Sequence, residues 1–584
     1  MAAAVPDERA LRERIAELLA SLYGPQAGES ARAELERLVS AHRAAAQDLP
    51  TPSPFGPEDV ILICYPDQLL RTGEPPLQTL ADWLERALRE VVSGVHILPF
   101  FPSTSDDGFS VVDYRSVDPA YGTWQDILRI GSRFRLMVDA VLNHVSQSSD
   151  WFRGFVERSP PYDSFFHDLD PAADLSAVFR PREHALLTPV PRSSGTAHVW
   201  TTFSPDQVDL NYSEPRVMLA ILDVLLFYAR QRAQLIRLDA VAYLYKEIGT
   251  ASVHLPQTHR LLKLMRAVLE QAAPGVRLIS ETNVPHRLNL TYFGEGDEAQ
   301  LVYSFPLPPL LLHCFQTGDS SNLQRWSVSL NAAPAGCTFF NFLSSHDGIG
   351  LPGLDGILPE AEIEALVLRT RERGAAVSYR RAGDRRLPYE LNTTFLDALS
   401  EPGELEAQPA RAAARFLCAH AILLSLRGVP ALYFHSLVGS RNDVAGAAAT
   451  GRARALHREK FSLERLEREM NDPRLPRRAV WDGLLRWIAL RRRHPAFHPD
   501  GPQEVLDLGR EVFAIVRNAP RGEDRIVCLH EIAGRGAHLT LPPSTGFSGW
   551  LLDRNTSERF PAEAIPLGPY QARWLTTVTD RAAP

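Results

Sequence analysis

The chain has 584 residues, of which 45% are hydrophobic and 23% charged, and its 62 basic against 70 acidic side chains leave a formal net charge of -8. A chain of this length can bury a large core, so we expect one large domain with attachments. The acidic balance disfavours non-specific binding to nucleic acid or to an anionic membrane surface, and it favours small molecules as partners.

The first predicted elements are two amphipathic helices. Apolar residues recur at steps of three and four from Glu8 to Ala46, with a turn signal at Tyr23-Gly24-Pro25. Met1–Pro6 runs directly into charged residues without the apolar core of a signal peptide, so we expect a cytoplasmic protein. The proline-rich stretch Pro50–Pro57 predicts a boundary, which makes residues 1–55 an N-terminal helical segment.

Eight short apolar runs follow, separated by segments long enough for helices. They are Val60–Tyr65, Gly94–Phe101, Leu136–His144, Gln234–Asp239, Val276–Glu281, Leu301–Phe305, Cys337–Asp347 and Val429–His435. This alternation predicts an α/β fold in which residues 56–500 form a TIM-type (β/α)8 barrel. No run is long and apolar enough for a transmembrane helix.

Two of the connecting segments are too long for simple crossovers. We expect inserted subdomains at about residues 145–212 and 348–392, both at the catalytic face, because the loops that follow barrel strands emerge there. From residue 501 to 584 the pattern changes to short strands with Gly and Pro between them, which predicts a small all-β domain. Its predicted strands are Val512–Val516, Arg525–Leu529, Ala537–Leu541 and Trp574–Val578.

The five cysteines are widely spaced and have no histidine at metal-ligand spacing. They are Cys64, Cys314, Cys337, Cys418 and Cys528. We interpret them as buried apolar residues in a reducing compartment, and we expect neither a metal nor an organic cofactor.

Three acidic residues close three of the predicted strands: Asp239, Glu281 and Asp347. The C-terminal ends of barrel strands meet at one face, so the three should converge. Retaining glycoside transfer needs one carboxylate to attack the anomeric carbon and one protonated carboxyl to assist the leaving oxygen. Taken singly, each acid could equally be a helix N-cap.

Other polar side chains lie near these acids. Arg237 stands two residues before Asp239, on the same face of the strand, where its guanidinium would keep the carboxylate ionised. His144, His346 and Asp106 follow neighbouring strands and offer hydrogen bonds that suit a polyhydroxylated ring.

At these positions the chain resembles the α-amylase superfamily of glycoside hydrolases. The four short motifs of that superfamily occur here in order as DAVLNH, IRLDAV, ISETN and SSHD. The resemblance implies Asp239 as nucleophile, Glu281 as general acid/base and Asp347 as the residue that stabilises the distorted sugar. It also implies that Arg237, His144 and His346 complete a glucose subsite.

A narrower resemblance is to the sucrose phosphorylase group. It is carried by PFFPSTSDDGFSVVDY (99–114), FRPR (179–182), FSPDQVDLN (203–211), RLDAVAYLYKEIGT (237–250), SHDGIG (345–350) and GVPALYFHSLVGSRND (428–443). It implies that Asp106 faces the glucose 4- and 6-hydroxyls, that Phe109 is a stacking platform and that Gln207 lies at the subsite. It further implies that Arg182 and Tyr389 lie on mobile loops that handle phosphate or acceptor.

Two features depart from sucrose phosphorylases. Asn283 stands two residues after Glu281, where sucrose phosphorylases have a histidine, and the helical segment precedes the barrel. Both features are more similar to the glucosylglycerate phosphorylase branch. Sucrose is therefore not the expected substrate.

For several arginines and for Asn143, the sequence allows both a structural and a functional role. The seven arginines of the second insertion, Arg369, Arg371, Arg373, Arg380, Arg381, Arg385 and Arg386, form either a solvated face or a field that attracts phosphate and an acidic acceptor. Arg454 and Arg458 share that ambiguity, and Arg454 is included among the substrate-binding candidates. Asn143 aligns with a calcium ligand of many amylases, but we favour a structural hydrogen bond there.

The preferred hypothesis is a phosphorylase that transfers glucosyl from a small α-glucoside, glucosylglycerate above others, to inorganic phosphate as co-substrate. Sucrose or sucrose 6'-phosphate phosphorylase, and an α-glucosidase or transglucosidase on the same site, remain alternatives. A catalytically silent barrel that serves as a binding subunit is disfavoured because all three acids are present. A homodimer is compatible with the sequence.

Overall fold

A computed structural model describes residues 7–45, 53–193, 195–382 and 385–578. Eight parallel strands close into a barrel in which neighbours in space are neighbours in the chain, so the predicted (β/α)8 fold is confirmed. The strands are β1 (Ile61–Cys64), β2 (Gly94–Ile97), β3 (Arg135–Val141), β4 (Ala233–Asp239), β5 (Arg277–Ser280), β6 (Leu301–Tyr303), β7 (Thr338–Asn341) and β8 (Val429–Tyr433).

The strands are almost entirely buried because helices cover their outer faces and side chains fill the interior. The helices around the barrel are Pro76–Ala87, Trp124–Gly131, Pro215–Arg230, Pro256–Ala272, Leu307–Thr317, Ser321–Val328, Pro409–Ser425 and Pro476–Arg492. The spacer between β5 and β6 contains only a single α-helical turn, His286–Asn289, where the sequence pattern predicts a full helix. Gly294 and Gly296, both at positive φ, turn the chain back before a longer helix can form.

Seven of the eight barrel strands end before the apolar runs that predicted them, all but β4. β3 ends at Val141, and β7 ends at Asn341, so Asp347 lies in the loop beyond β7 rather than at the strand end. The apolar pattern continues through Phe342 and Leu343, but these two residues are buried in the mouth of the barrel without being paired in its sheet. The predicted strand was too long because an apolar run indicates burial, and buried residues need not be paired in a sheet.

The N-terminal segment forms helices α1 (Glu8–Tyr23) and α2 (Pro25–Ala45). They pack on the outside of the barrel helices Pro215–Arg230 and Pro256–Ala272, with Leu11, Ile15 and Leu19 buried. An ion pair of 2.6 Å joins Arg14 to Asp297. The predicted end of the second helix at Ala46, the start of the proline-rich boundary and Met1–Pro6 lie outside the described residues.

Both insertions emerge from the C-terminal ends of strands. The first carries the helix Asp150–Glu157, the hairpin Leu187–Arg192 with Gly195–Trp200, and the short ribbon His144–Ser146 with Gln207–Asp209. The second carries the helix Glu360–Glu372 and the hairpin Ala376–Ala382 with Arg385–Asn392, whose second strand also pairs with Ile349–Gly350.

The C-terminal part is antiparallel. Its main sheet contains, in spatial order, Gln503–Leu506, Val512–Asn518, Arg525–Glu531, Ala572–Thr577, Trp550–Asp553 and Arg559–Pro561, and Ala537–Leu539 pairs separately with Ile565–Leu567. Buried Arg517 and Arg491 donate to the carbonyls of Ser425 and Leu424, at 2.7 and 2.6 Å. Cations at the end of the helix that leads into β8 complement its dipole. No helix in the described ranges is long and apolar enough to cross a membrane.

Candidate active site

A pocket opens at the C-terminal ends of the barrel strands. It is lined by all twelve side chains that the sequence analysis selected: Asp106, Phe109, His144, Arg182, Gln207, Arg237, Asp239, Glu281, His346, Asp347, Tyr389 and Arg454. These residues are spread over 349 positions of the chain, from Asp106 to Arg454, and the barrel brings them together.

Arg237 lies at the centre of the acidic residues. Its Nη1 donates to Asp239 Oδ1 at 2.7 Å, and its Nη2 lies 3.9 Å from Glu281 Oε2 and 3.8 Å from Asp347 Oδ2. Asp139, fully buried on β3, accepts from the same Nη1 at 2.6 Å and fixes the guanidinium from behind. The three predicted acids therefore share one buried cation.

The pKa values of Glu281 and Asp347 are shifted in opposite directions. Burial, with the charges of Asp239 and Asp347 adding to it, raises the pKa of Glu281 to about 7, although Arg237 opposes the shift. Burial also raises the pKa of Asp347, but His346, Arg454 and Arg237 outweigh it and hold that pKa well below its ordinary value. Glu281 is thus suited to carry a proton at neutral pH, whereas Asp347 is ionised.

The expectation for Asp239 needs a correction. Burial has the largest effect and raises the pKa of this carboxyl above its ordinary value, although Arg237 lowers it as predicted and His144 lowers it too. The reason is that the strand end is removed from water, which the sequence pattern does not quantify.

A second group of side chains forms a polar wall beside the acids. Gln207 Nε2 donates to the Phe109 carbonyl at 3.1 Å and lies 3.1 Å from His144 Nε2 and 3.4 Å from Asp106 Oδ2. Phe109 stacks on His346 with ring centroids 4.8 Å apart and an interplanar angle of 4°. One face of Phe109 is therefore covered by histidine.

A β-bulge places Tyr389 in the pocket. In the hairpin of the second insertion, Ser378 pairs with Glu390 and Tyr379 pairs with Pro388, so Tyr389 is the extra residue. Successive strand residues ordinarily face opposite sides, and the bulge allows Tyr389 and Glu390 both to line the pocket. Arg182 lies over the Tyr389 ring, 5.6 Å from its centroid.

The arginine-rich stretch contributes little to the pocket. Within the described part of the chain, none of its seven arginines lines the pocket, and Arg386 alone reaches an outer vestibule defined by Glu183, Tyr379, Arg386 and Arg452. Arg386 pairs there with Glu183 at 2.8 Å. Arg458 donates to the His346 carbonyl at 2.7 Å, so it holds the loop of the SSHD motif.

Nine further residues line the pocket that the sequence patterns did not predict there: Phe203, Ala240, Ala242, Tyr243, Thr282, Val284, Phe305, Gly348 and Glu390. Tyr243 lies four residues after Asp239, at the end of the short 3-10 segment Val241–Tyr243, and this closeness to the IRLDAV motif is a signal that could have identified it. Glu390 carries no comparable signal, because its position depends on the bulge.

Asn143 contacts a lysine ammonium. Lys246 Nζ donates to Asn143 Oδ1 at 2.6 Å and lies 2.8 Å from Asp209 Oδ2, and Asn143 Nδ2 donates to the same Asp209 oxygen at 2.9 Å. All three side chains are buried. An ammonium therefore supplies the positive charge between these oxygens. In the described ranges, no three His, Cys, Asp or Glu side chains are grouped to hold a metal ion.

Replacing Lys246 by methionine should destabilise the protein by about 3–5 kcal/mol, because it leaves Asp209 buried without its counter-charge. The urea midpoint of unfolding measures the loss. Lys263→Met is the matched control, since Lys263 pairs with Asp297 at 3.1 Å in a partly exposed position, and it should cost about 1 kcal/mol or less. Equal midpoints for the two variants would show that the buried ammonium is not needed for stability.

The comparisons with known proteins agree with the fold and the motifs. The model of the α-amylase catalytic domain family matches residues 88–348. The chain is 48% identical to the glucosylglycerate phosphorylase of Allomeiothermus silvanus over 97% of its own length and 98% of the relative's. It is 42% identical to the glucosylglycerate phosphorylase of Escherichia coli, over 97% and 100% of the two chains.

Among solved structures, the sucrose 6F-phosphate phosphorylase from Thermoanaerobacter thermosaccharolyticum superposes with a TM-score of 0.73 at 25% identity. The match covers 86% of this chain and 98% of that one. The chain belongs to the α-amylase superfamily, and within it to the group of phosphorylases that its full-length relatives represent.

Proposed function

We propose that the protein is a retaining phosphorylase that transfers glucosyl from glucosylglycerate to inorganic phosphate and releases glycerate and α-glucose 1-phosphate. The observation that carries this proposal is the pairing of two unlike carboxyls in one pocket: Asp239 held by Arg237 at 2.7 Å, and Glu281 with a pKa of about 7. The substrate is proposed from the relatives at 48% and 42% identity, whose names state it.

In the first step, an Asp239 carboxylate oxygen forms a bond to the anomeric carbon while the bond from that carbon to the glycerate oxygen breaks. Glu281 transfers its proton to the departing oxygen, so that oxygen leaves as a hydroxyl group, glycerate keeps its carboxylate charge, and Glu281 becomes a carboxylate. Asp347, which is ionised, stabilises the positive charge that develops on the sugar ring.

In the second step, a phosphate oxygen attacks the same carbon and the bond to Asp239 breaks. Glu281 accepts the proton of the attacking phosphate, which restores both carboxyls. Two inversions give net retention, so the product is the α-anomer. This chemistry needs carboxylates and a guanidinium, and we propose that phosphate is a co-substrate and that no metal takes part.

The incoming anion needs a cation that is not already neutralised. Arg237 contacts Asp239 and Asp139, and Arg454 contacts Asp347 and Glu390. Among the described residues, Arg182 has no carboxylate within ion-pair distance, and its guanidinium lies between the rings of Phe203 and Tyr389 at 5.7 and 5.6 Å. We therefore assign to Arg182 the binding of phosphate, and of the acceptor carboxylate in turn.

The reverse reaction tests the acceptor. With α-glucose 1-phosphate as donor, D-glycerate should give a higher kcat/KM than glycerol, fructose or fructose 6-phosphate. An arginine–carboxylate hydrogen bond contributes about 1.5–3 kcal/mol, which is about one to two decades of selectivity over an uncharged acceptor. Glycerol is the matched control, because it differs from glycerate only in having an uncharged hydroxymethyl group in place of the carboxylate. Fructose ahead of glycerate would assign the protein to the sucrose phosphorylases, and fructose 6-phosphate ahead of both would change the acceptor.

We propose in addition that the protein acts in the cytoplasm. All five cysteines are buried and unpaired in the described structure, as a reducing compartment permits. Fractionation of the producing cells checks this.

A further inference from the structure

Glu390 is a buried carboxylate in the pocket that the proposed mechanism does not use. Its side chain is 6% exposed, and its two oxygens accept hydrogen bonds from Arg454 Nη2 at 3.1 and 3.0 Å. Burying a carboxylate costs a large desolvation free energy, and only a well-placed cation offsets that cost. Its position next to Arg454 therefore calls for a functional explanation.

The backbone fixes this carboxylate to the loop that carries Asp347. Glu390 pairs with Gly350 in the small sheet of the second insertion, and the Leu351 amide donates to the Tyr389 carbonyl at 2.9 Å. A Cβ atom added at Gly348 would lie 2.9 Å from the Cβ of Glu390, so only glycine permits this close approach. The hairpin and the loop beyond β7 are consequently in close contact at the pocket.

Arg454 lies among three carboxylates: Asp106 from the loop after β2, Asp347 from the loop after β7, and Glu390 from the hairpin of the second insertion. Its Nη1 is 3.0 Å from Asp347 Oδ1 and 3.9 Å from Asp106 Oδ1, while Glu390 accepts from its Nη2. Asp347 stabilises the sugar ring in the proposed function, and the resemblance to sucrose phosphorylases implies that Asp106 faces the glucose 4- and 6-hydroxyls, so both lie on the glucosyl side of the pocket. Glu390 thus completes a ring of negative charge that keeps the Arg454 guanidinium on that side.

We propose that Glu390 is a positioning and specificity-determining residue: it holds Arg454 toward the glucosyl group and prevents the entering anion from binding to it, so that the anion is directed to Arg182. The inference rests on the proposed function in one respect, namely that phosphate enters this pocket as acceptor. It does not depend on which alcohol the donor releases.

The proposal predicts opposite effects on the two substrates. Glu390→Gln keeps the size of the side chain but removes its charge. The KM for phosphate should fall about three- to tenfold, because the substitution removes a negative charge that repels the anion in the pocket. The KM for the glucosyl donor should rise several-fold, because Arg454 is held less firmly. General damage to the pocket would instead raise both values.

The experiment uses α-glucosyl fluoride as donor and phosphate as acceptor, with release of α-glucose 1-phosphate as the readout. Glucosyl fluoride makes the result independent of glycerate, so a wrong acceptor in the proposed function leaves the test intact, whereas wild-type protein that forms no glucose 1-phosphate would refute the proposed function itself. Glu360→Gln is the control, because it removes one charge from the same insertion at an exposed pair with Arg385. It should change neither KM.

Glu390→Asp separates charge from position. The charge remains, but the side chain is one methylene shorter and can no longer reach Arg454 with both oxygens. In this variant, the KM for the donor should rise while the KM for phosphate does not fall. The variant therefore tests the proposal even if Glu390→Gln does not fold. A phosphate KM that is unchanged or higher in Glu390→Gln would overturn the proposal, as would an unchanged donor KM in Glu390→Asp.

Discussion

Asp239→Asn is expected to lower turnover about 10⁴-fold or more, because an amide of nearly the same volume cannot attack the anomeric carbon. The fold should persist, since an asparagine can still accept the hydrogen bond that Arg237 donates to Asp239 at 2.7 Å. Release of α-glucose 1-phosphate measures the activity, and circular dichroism and the urea midpoint verify folding.

The matched control is Asp223→Asn on the outer helix Pro215–Arg230. Asp223 forms a surface ion pair with Arg115, so the same chemical change there should leave turnover unaltered. Activity of Asp239→Asn above a few per cent, in protein free of wild-type enzyme, would remove Asp239 from the role of nucleophile.

Glu281→Gln is expected to lower the rate about 10²–10⁴-fold for a glucoside with a poor leaving group, because the glutamine amide cannot protonate the departing oxygen. α-Glucosyl fluoride should be partly spared, since fluoride leaves without full protonation. Equal losses on the two donors would contradict the acid/base assignment.

The pH dependence tests the same residue. Burial raises the pKa of Glu281 to about 7, so the protonated form required for the first step is present below that pH and is lost above it. In wild-type protein, kcat/KM for the glucoside should therefore fall as pH rises through about 7, and this decline should be absent in Glu281→Gln. In a double-displacement reaction, kcat/KM for the donor reports this first step alone.

The barrel and the convergence of its acids could be predicted from the sequence, because both depend on local patterns. A short apolar run followed by a helical spacer identifies a strand regardless of the rest of the chain, and residues at the C-terminal ends of strands must meet at one face. Asp239 and Glu281 lie at or directly after the strand ends as predicted. Asp347 reaches the pocket from the loop beyond β7 and not from a strand end, so the predicted end of that strand was wrong although Asp347 does line the pocket.

The remaining features depend on contacts between distant parts of the chain. The bulge at Tyr389 is defined only by its pairing with the neighbouring strand, so the sequence contains no sign that Glu390 turns toward Arg454. Likewise, the sequence does not indicate that Lys246 is buried, because its partner Asp209, at 2.8 Å, is brought to it only by the fold. The packing of α1 and α2 on the barrel helices also follows from tertiary contacts, since amphipathic periodicity gives the buried face of a helix but not its partner.

The central claim is that glucosyl passes through Asp239 to phosphate with retention of configuration. Proton NMR of a reaction containing glucosylglycerate, phosphate and the wild-type protein tests it most directly, because the coupling of the anomeric proton distinguishes the two anomers as they form. The account predicts α-glucose 1-phosphate as the first product, in amounts equal to the glycerate released. First formation of β-glucose 1-phosphate would contradict the double displacement, and free glucose in its place would show that water, rather than phosphate, is the acceptor.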